Sequence, residues 1–328
     1  MILVVRLLDH RGMRYSRTYT LGSVEIRNPR TDTMEEREAL RQSAAAFEDE
    51  RPDDCMRIAT IVHDNVTEHE AGRIAEERFD EALDVLGSVA GGLSPMVLLA
   101  SGLFENLEKR SIHPRTLGQG RQQGPSFWVA RERFPQCDWP QFLLTHAKSE
   151  LAQRLIRSHH WSRKAQGEAG LQLRVLFRWF AMEAVWLLNK NDDIVPRLQW
   201  ALGFPNGLGA KALSPTFTKR LEEHPTIGAW KSQIETLLAD VREFRNNSVH
   251  SGFRYQDISR TRLRDFDAIT LLACARVQNL AQAAIRAGLS TTNEMFEYLP
   301  VLVEMNSHYI DDVHGSVLSS LENPRRGD

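Results

Sequence analysis

The sequence predicts a mainly helical protein in which a small α+β region precedes a larger helical bundle. Three observations carry this. Strand-like segments rich in apolar and β-branched residues crowd into the first ninety or so positions. Beyond them, long segments with apolar residues at helical spacing dominate. One late segment, "LQLRVLFRWFAMEAVWLL", is apolar nearly all round, as the middle helix of a bundle must be.

The elements follow in order. "ILVVRLL" near the start reads as a strand, and "RTYTLGSVEIR" as strand, Gly-Ser break, strand. "RNPRTDT" is a turn, "MEEREALRQSAAAFEDE" a polar helix and "CMRIATIVHD" another strand. In "TEHEAGRIAEERFDEALDVLGSVAGG", residues Ala71, Ile74, Ala75, Phe79, Leu83 and Leu86 fall on one helical face, and glycines close the segment. These elements make up an accessory domain over 1–92.

From Leu93 the strand signals fade. "LSPMVLLASGLFENLEKR" reads as a helix and "PRTLGQGRQQGPSF" as an exposed loop, giving a helical and loop connection over 93–145. The bundle is expected over 146–290. "DWPQFLLTHAKSELAQRLIRSHHW" leads into it as a helical segment, followed by the apolar segment, by "DIVPRLQWALGF", by "TIGAWKSQIETLLADVREFRNNSVHSG" and by "FDAITLLACARVQNLAQAAIRAG", which ends at Gly288. A helical extension and tail occupy 291–328, interrupted at Pro300.

Composition narrows the function. The chain of 328 residues is 42% hydrophobic and 26% charged with a net charge of −2, so no global basicity points to nucleic acid. Its three cysteines, Cys55, Cys137 and Cys274, are widely spaced and odd in number, which fits a reduced cytoplasmic protein without a disulfide frame. The apolar start is short and meets Arg6 early, so it reads as a strand and not a leader. No apolar run reaches the roughly 20 residues of a membrane span, and no membrane association is expected.

Several local clusters have ordinary explanations. His63, Asp64, His69 and Glu70 are metal-ligand types, but Thr67 and Glu70 form a capping box and no spaced ligand motif accompanies them, so no metal or cofactor is expected. The glycines of "GQGRQQG" and "GFPNGLGAK" do not follow a phosphate-loop pattern. Residues 148–178 carry many cations, among them Arg163, Lys164, Arg174 and Arg178, with Trp161 between them. Such a stretch can hold single-stranded nucleic acid by charge and stacking. Taken alone, it reads more readily as a solvated helix face with a tryptophan anchored in the bundle. Glu183 lies inside "RWFAMEAVWLL", where a carboxylate needs a partner. That partner is either Arg174 or Arg178 on its own helix, or a functional arginine from another helix.

The strongest feature is "DVREFRNNSVHSGFR". Ile234, Leu237, Leu238, Val241 and Phe244 form an apolar helical face that runs into Arg245-Asn246-Asn247-Ser248-Val249-His250. The asparagines are poor helix formers, so the helix is expected to end weakly here, with Gly252 as its cap. The negative end of the helix dipole favours a cation near His250. Asn246 and His250 lie four apart on one face if the turn stays α-helical. A fixed cation, an amide and a titratable imidazole together suit phosphodiester chemistry, with the imidazole moving protons and the guanidinium meeting phosphoryl charge.

"FRNNSVHSG" resembles the R-N-x-x-x-H form of the RX4–6H motif of HEPN domains, particularly the Apea-like HEPN family. Arg245 matches the motif arginine, Asn246 the polar residue after it and His250 the motif histidine. Glu183 matches an acidic position on the family's long early helix, and the likeness covers about 146–288. The resemblance implies a HEPN-type bundle that cleaves RNA without metal through 2′-OH attack. Arg245, His250 and Asn246 would be its catalytic residues, with Glu183 in support; the RNA contacts would then fall on the basic stretch, at Arg174, Arg178, Arg163 and Lys164. It further implies a homodimer with a composite site, a role in antiviral defence or as a growth-arresting toxin, and a regulatory partner or ligand. The alternative is a non-catalytic module of this kind that binds nucleotide or RNA, or scaffolds a multi-protein system.

Overall fold

A computed structural model describes residues 1–9, 18–46, 52–63, 66–89, 97–116, 138–189, 192–206, 210–250, 258–306 and 308–322. The chain divides into two units, Met1–His146 and Ala147–Asp328.

The first unit is built on a six-stranded antiparallel sheet of order β2-β3-β4-β1-β5-β6. Its strands are β1 (Ile2–Asp9), β2 (Tyr19–Leu21), β3 (Val24–Arg27), β4 (Met56–Val62), β5 (Val97–Asn106) and β6 (Ser111–Thr116). Strand β1 pairs with β4 on one side and β5 on the other. Its residues alternate between two cores, as a period of two requires. Ile2, Val4 and Leu8 pack with Phe79, Leu83 and Leu86 of α2 (Glu68–Val89). Val5 and Leu7 pack with Ala39, Leu40 and Ala44 of α1 (Met34–Ala45) on the opposite face. Because both faces are covered, β1 reads as a continuous apolar run instead of an alternating one. Gly22, at φ +57°, turns the two-residue hairpin between Leu21 and Val24. The Thr67–Glu70 capping box forms at the start of α2.

This sheet corrects the expected boundary at residue 92. The segment read as a helix from Leu93 contains β5, and the strands β5 and β6 complete the sheet of the first unit. A short apolar run such as "VLLASGLFEN" has no periodicity that separates a buried strand from a buried helix. The partner strand decides it: β5 lies against β1 from Ile2↔Asn106 to Asp9↔Val97. Of the loop read over 114–127, residues Pro114–Thr116 belong to β6 instead, and the remainder lies outside the described residues, as does Cys137.

The segment read as helical from Asp138 is helical and holds two helices, α3 (Asp138–Thr145) and α4 (Glu150–Gly167). The division falls where the side chain of Ser149 accepts a hydrogen bond from Ala152 N and starts a new helix. The second unit then comprises α4, α5 (Leu171–Trp186), α6 (Val195–Leu202), α7 (Pro215–Glu222), α8 (Ile227–His250), α9 (Arg260–Arg286), α10 (Thr292–Met305), α11 (Tyr309–Asp312), a π-helical stretch Val313–Leu318 and α12 (Ser319–Glu322). Helix α5 is the inner helix, packed between α4 and α9, and it buries Val175, Leu176, Trp179, Ala181, Met182, Val185 and Trp186. Helix α9 is long and apolar enough to cross a membrane by length and composition, but its apolar face is bundle core, with Phe266, Ile269, Ala273 and Val277 buried. Gly203 ends α6 at φ +92°, and a Cβ there would meet Val313 at 2.4 Å, so only glycine fits. Pro300 does not interrupt the C-terminal segment; α10 continues through it and stops at Met305.

His159 of α4 is buried, and its Nε2 has no hydrogen-bond partner among the described residues. Burial pushes its imidazole down to about 3, so the folded chain holds it neutral. The unfolded chain takes up this proton near 6.5, the folded chain only near 3. The stability that depends on the neutral ring is therefore complete above about pH 6.5 and is lost as pH falls from there toward 3. Between pH 6.5 and 5, urea unfolding of the wild type should lose about 1–2 kcal/mol more than that of His159→Leu. Parallel curves for the two proteins would show that His159 is not the buried acid-sensitive group.

Candidate active site

The apolar face of α8 is in place, with Ile234, Leu238, Val241 and Phe244 buried and Leu237 half-buried. The helix runs through the asparagines to His250, which places the histidine in its last turn, where the sequence puts it. It stays α-helical through His250, because Val241 and Phe244 anchor the preceding turns and Phe244 packs on Phe266 of α9. Tertiary packing outweighs a few tenths of a kcal/mol of propensity per residue. Ser251 and the expected cap Gly252 lie outside the described residues.

Glu183 resolves its partner across helices. Its Oε2 accepts from Arg245 Nη2 at 2.9 Å, and its Oε1 accepts from Trp179 Nε1 at 2.8 Å, one turn earlier on α5. Both carboxylate oxygens are thus tied, and neither side chain of the pair is more than about a fifth exposed. Arg245 Nη1 also donates to Asn246 Oδ1 at 2.9 Å, while its buried Nε has no partner among the described residues. A guanidinium carries five N–H donors. With two engaged, Arg245 retains donors for an incoming anion. Phe180 lies beneath it, with the guanidinium carbon 5.8 Å from the ring centroid.

Arg174 and Arg178 are occupied elsewhere. Both reach Asp267 of α9, Arg174 through Nε at 2.7 Å and Arg178 through Nη1 at 2.5 Å. Arg178 is only 7% exposed and also donates to the Asp267 carbonyl. This corrects its expected RNA contact, since a buried guanidinium committed to a carboxylate is not presented to a phosphate. Arg174 remains half-buried beside it. On α4, Arg163 is half-buried and Lys164 exposed. Trp161 is anchored between helices as the simpler reading expects, its ring stacked on Phe177 and edge-on to Phe180.

His250 is exposed, with no hydrogen bond or ion pair among the described residues. Five residues of α-helix carry it ~140° around α8 from Arg245. Arg245 and Ser248, which accepts from Gln172 Nε2 at 3.3 Å, face α5. Asn246 and His250 share the outward side, one turn apart. One chain therefore presents the arginine from within its bundle and the histidine from its surface, with Asn246 joined to both by contact or spacing. Among the described residues, no group of three or more His, Cys, Asp or Glu could hold a metal ion.

Three residues were missed at the sequence level. Trp179 and Phe180 stand four and three positions before Glu183, a spacing that places them on its face. Asp267 was missed too, although an acid at the edge of the apolar stretch of α9 was signal enough to seek an arginine. No family model, curated protein or solved structure matches this chain.

The geometry makes Glu183 and Arg245 a coupled pair. In a double-mutant cycle of Glu183→Gln and Arg245→Gln followed by urea unfolding, each single change should cost about 1–2 kcal/mol and the double much less than their sum. Strict additivity would show that the two side chains do not interact in solution.

Proposed function

We propose that this chain is a metal-independent endoribonuclease with a HEPN-type helical bundle, acting as a homodimer. The observation that carries the reading is the R-N-x-x-x-H stretch at the end of α8, in which Arg245 is held by Glu183 while Asn246 and His250 stand at the surface.

In this reading the RNA 2′-OH attacks the adjacent phosphorus in line. Its proton passes to an imidazole, the bond from phosphorus to the 5′-oxygen breaks, and a second, protonated imidazole donates its proton to that leaving oxygen. Two copies of His250, one from each subunit, would supply both proton steps. Arg245 neutralises charge on the phosphoryl oxygens, and its geometry is fixed in advance by Glu183. Asn246 orients the guanidinium and lies one turn from His250. The products would be a 2′,3′-cyclic phosphate and a 5′-hydroxyl. Leu173 and Val249, both nearly half exposed, put apolar surface close to the Gln172–Ser248 contact, which suits a second copy closing over this end of α8. A setting in antiviral defence or growth arrest, in the cytoplasm, with regulation through a partner or ligand, follows by analogy alone.

A second reading has its own support. Arg245 is already paired with a carboxylate, as in a structural ion pair, and this favours a non-catalytic module that binds nucleotide or RNA or serves as a scaffold.

Purified protein incubated with mixed RNA in EDTA separates the two. Cleavage should leave cyclic phosphate ends and fall at least about 100-fold in Arg245→Ala and in His250→Ala. Intact RNA with the wild type, or equal cutting by the variants, favours the scaffold. Sedimentation should find a dimer; a fully active monomer would overturn the composite site.

A further inference from the structure

We propose that a nucleobase of single-stranded RNA stacks on Trp161, on an aromatic ledge that leads directly to Arg245. The proposal rests on the ribonuclease reading for its substrate, but its geometry is independent of any cleavage step. The ring of Trp161 lies 5.7 Å from Phe177 at an interplanar angle of 29° and 5.4 Å from Phe180 at 68°. Phe180 in turn carries the Arg245 guanidinium. Trp161, Phe177 and Phe180 are each only half-buried, so the cluster keeps an open aromatic surface. His160 meets Trp161 edge-on and widens it.

Charge favours a nucleic acid over another apolar surface as the occupant. Arg157, Trp161 and Lys164 fall at i, i+4 and i+7 on α4, so the tryptophan sits between two exposed cations on one stripe. Neither cation makes an ion pair among the described residues, and Glu183, three positions after Phe180 on α5, is already bound to Arg245. Cations that follow a phosphate chain beside a ring that accepts any base are the two parts of a single-strand site. Phe177 and Phe180 hold the indole in place before binding, so little ordering cost remains. A base on Trp161 would set the adjoining phosphates toward Phe180 and Arg245. The ledge is a positioning site, expected to act on affinity and KM more than on kcat.

The test uses the full chain and a 2′-O-methyl hexanucleotide, which binds without being cut, beside the same oligonucleotide with abasic positions. The wild type should bind the base-bearing probe between about 5- and 150-fold more tightly than the abasic one. Trp161→Leu should lose most of that difference, and Trp161→Phe should keep it, which guards against a variant that merely misfolds. Arg157→Ala and Lys164→Ala should each lower the salt dependence of binding. On cleavable RNA, Trp161→Leu should raise KM with little change in kcat. Equal affinity for both probes in the wild type, no binding at all, or unaltered affinity in Trp161→Leu overturns the site. Loss of the dimer in Trp161→Leu with probe affinity unaltered would assign the ledge to a protein interface instead. Base-dependent binding without cleavage leaves the ledge standing and removes the nuclease; cleavage indifferent to flanking bases does the reverse.

Discussion

A carboxylate on the most apolar helix of a bundle must find a cation, and here that cation is the motif arginine. Glu183 is held by Trp179 from its own helix and by Arg245 from α8. Leaving either charge alone in this setting would cost more than the pair contributes, so the two helices are kept in register at this point. The same helix is tied on another side, where Arg174 and Arg178 share Asp267 of α9. Polar ties to two neighbours orient α5 about its axis, something its nearly uniform apolar surface cannot do alone.

That orientation determines what the end of α8 can present. Because Arg245 is drawn toward α5, a histidine five residues later on a continuous helix must face away from it. The motif thus divides into an inner cation and an outer imidazole. A phosphate engaging both would be enclosed more readily between two chains than within one, which ties the proposed chemistry to the proposed dimer. Phe180, beside Arg245, joins this surface to Trp161 of α4, which stands between Arg157 and Lys164.

The first unit is a different kind of structure. Its central strand is apolar on both faces because α1 and α2 cover opposite sides of the sheet. A buried ion pair, Arg57 with Asp32 at 2.7 Å, closes the connection before α1 and is further anchored to the Pro52 carbonyl. It pairs the guanidinium with Asp32 Oδ2 at a depth where neither charge could lie alone, although Asp32 Oδ1 has no hydrogen-bond partner among the described residues.

By itself, the sequence determined the features that depend on neighbours along the chain. These are the apolar faces of α2 and α8, the Thr67–Glu70 cap, the Gly22 hairpin, and the grouping of Arg245, Asn246 and His250 on one stretch. Each is a matter of helical or strand period, or of a side chain reaching its own backbone, and such effects are local. Sequence also marked Glu183 as a charge in need of a partner, but not which one, because several arginines were available and only the crossing of α5 with α8 selects among them. The assignment of "VLLASGLFEN" to a strand, the persistence of α8 through two asparagines and the burial of Arg178 on Asp267 were likewise tertiary decisions. In the first two, a contact between residues far apart in the chain outweighed a local preference of a kcal/mol or less, and in the third a carboxylate from another helix made the burial of a charge possible.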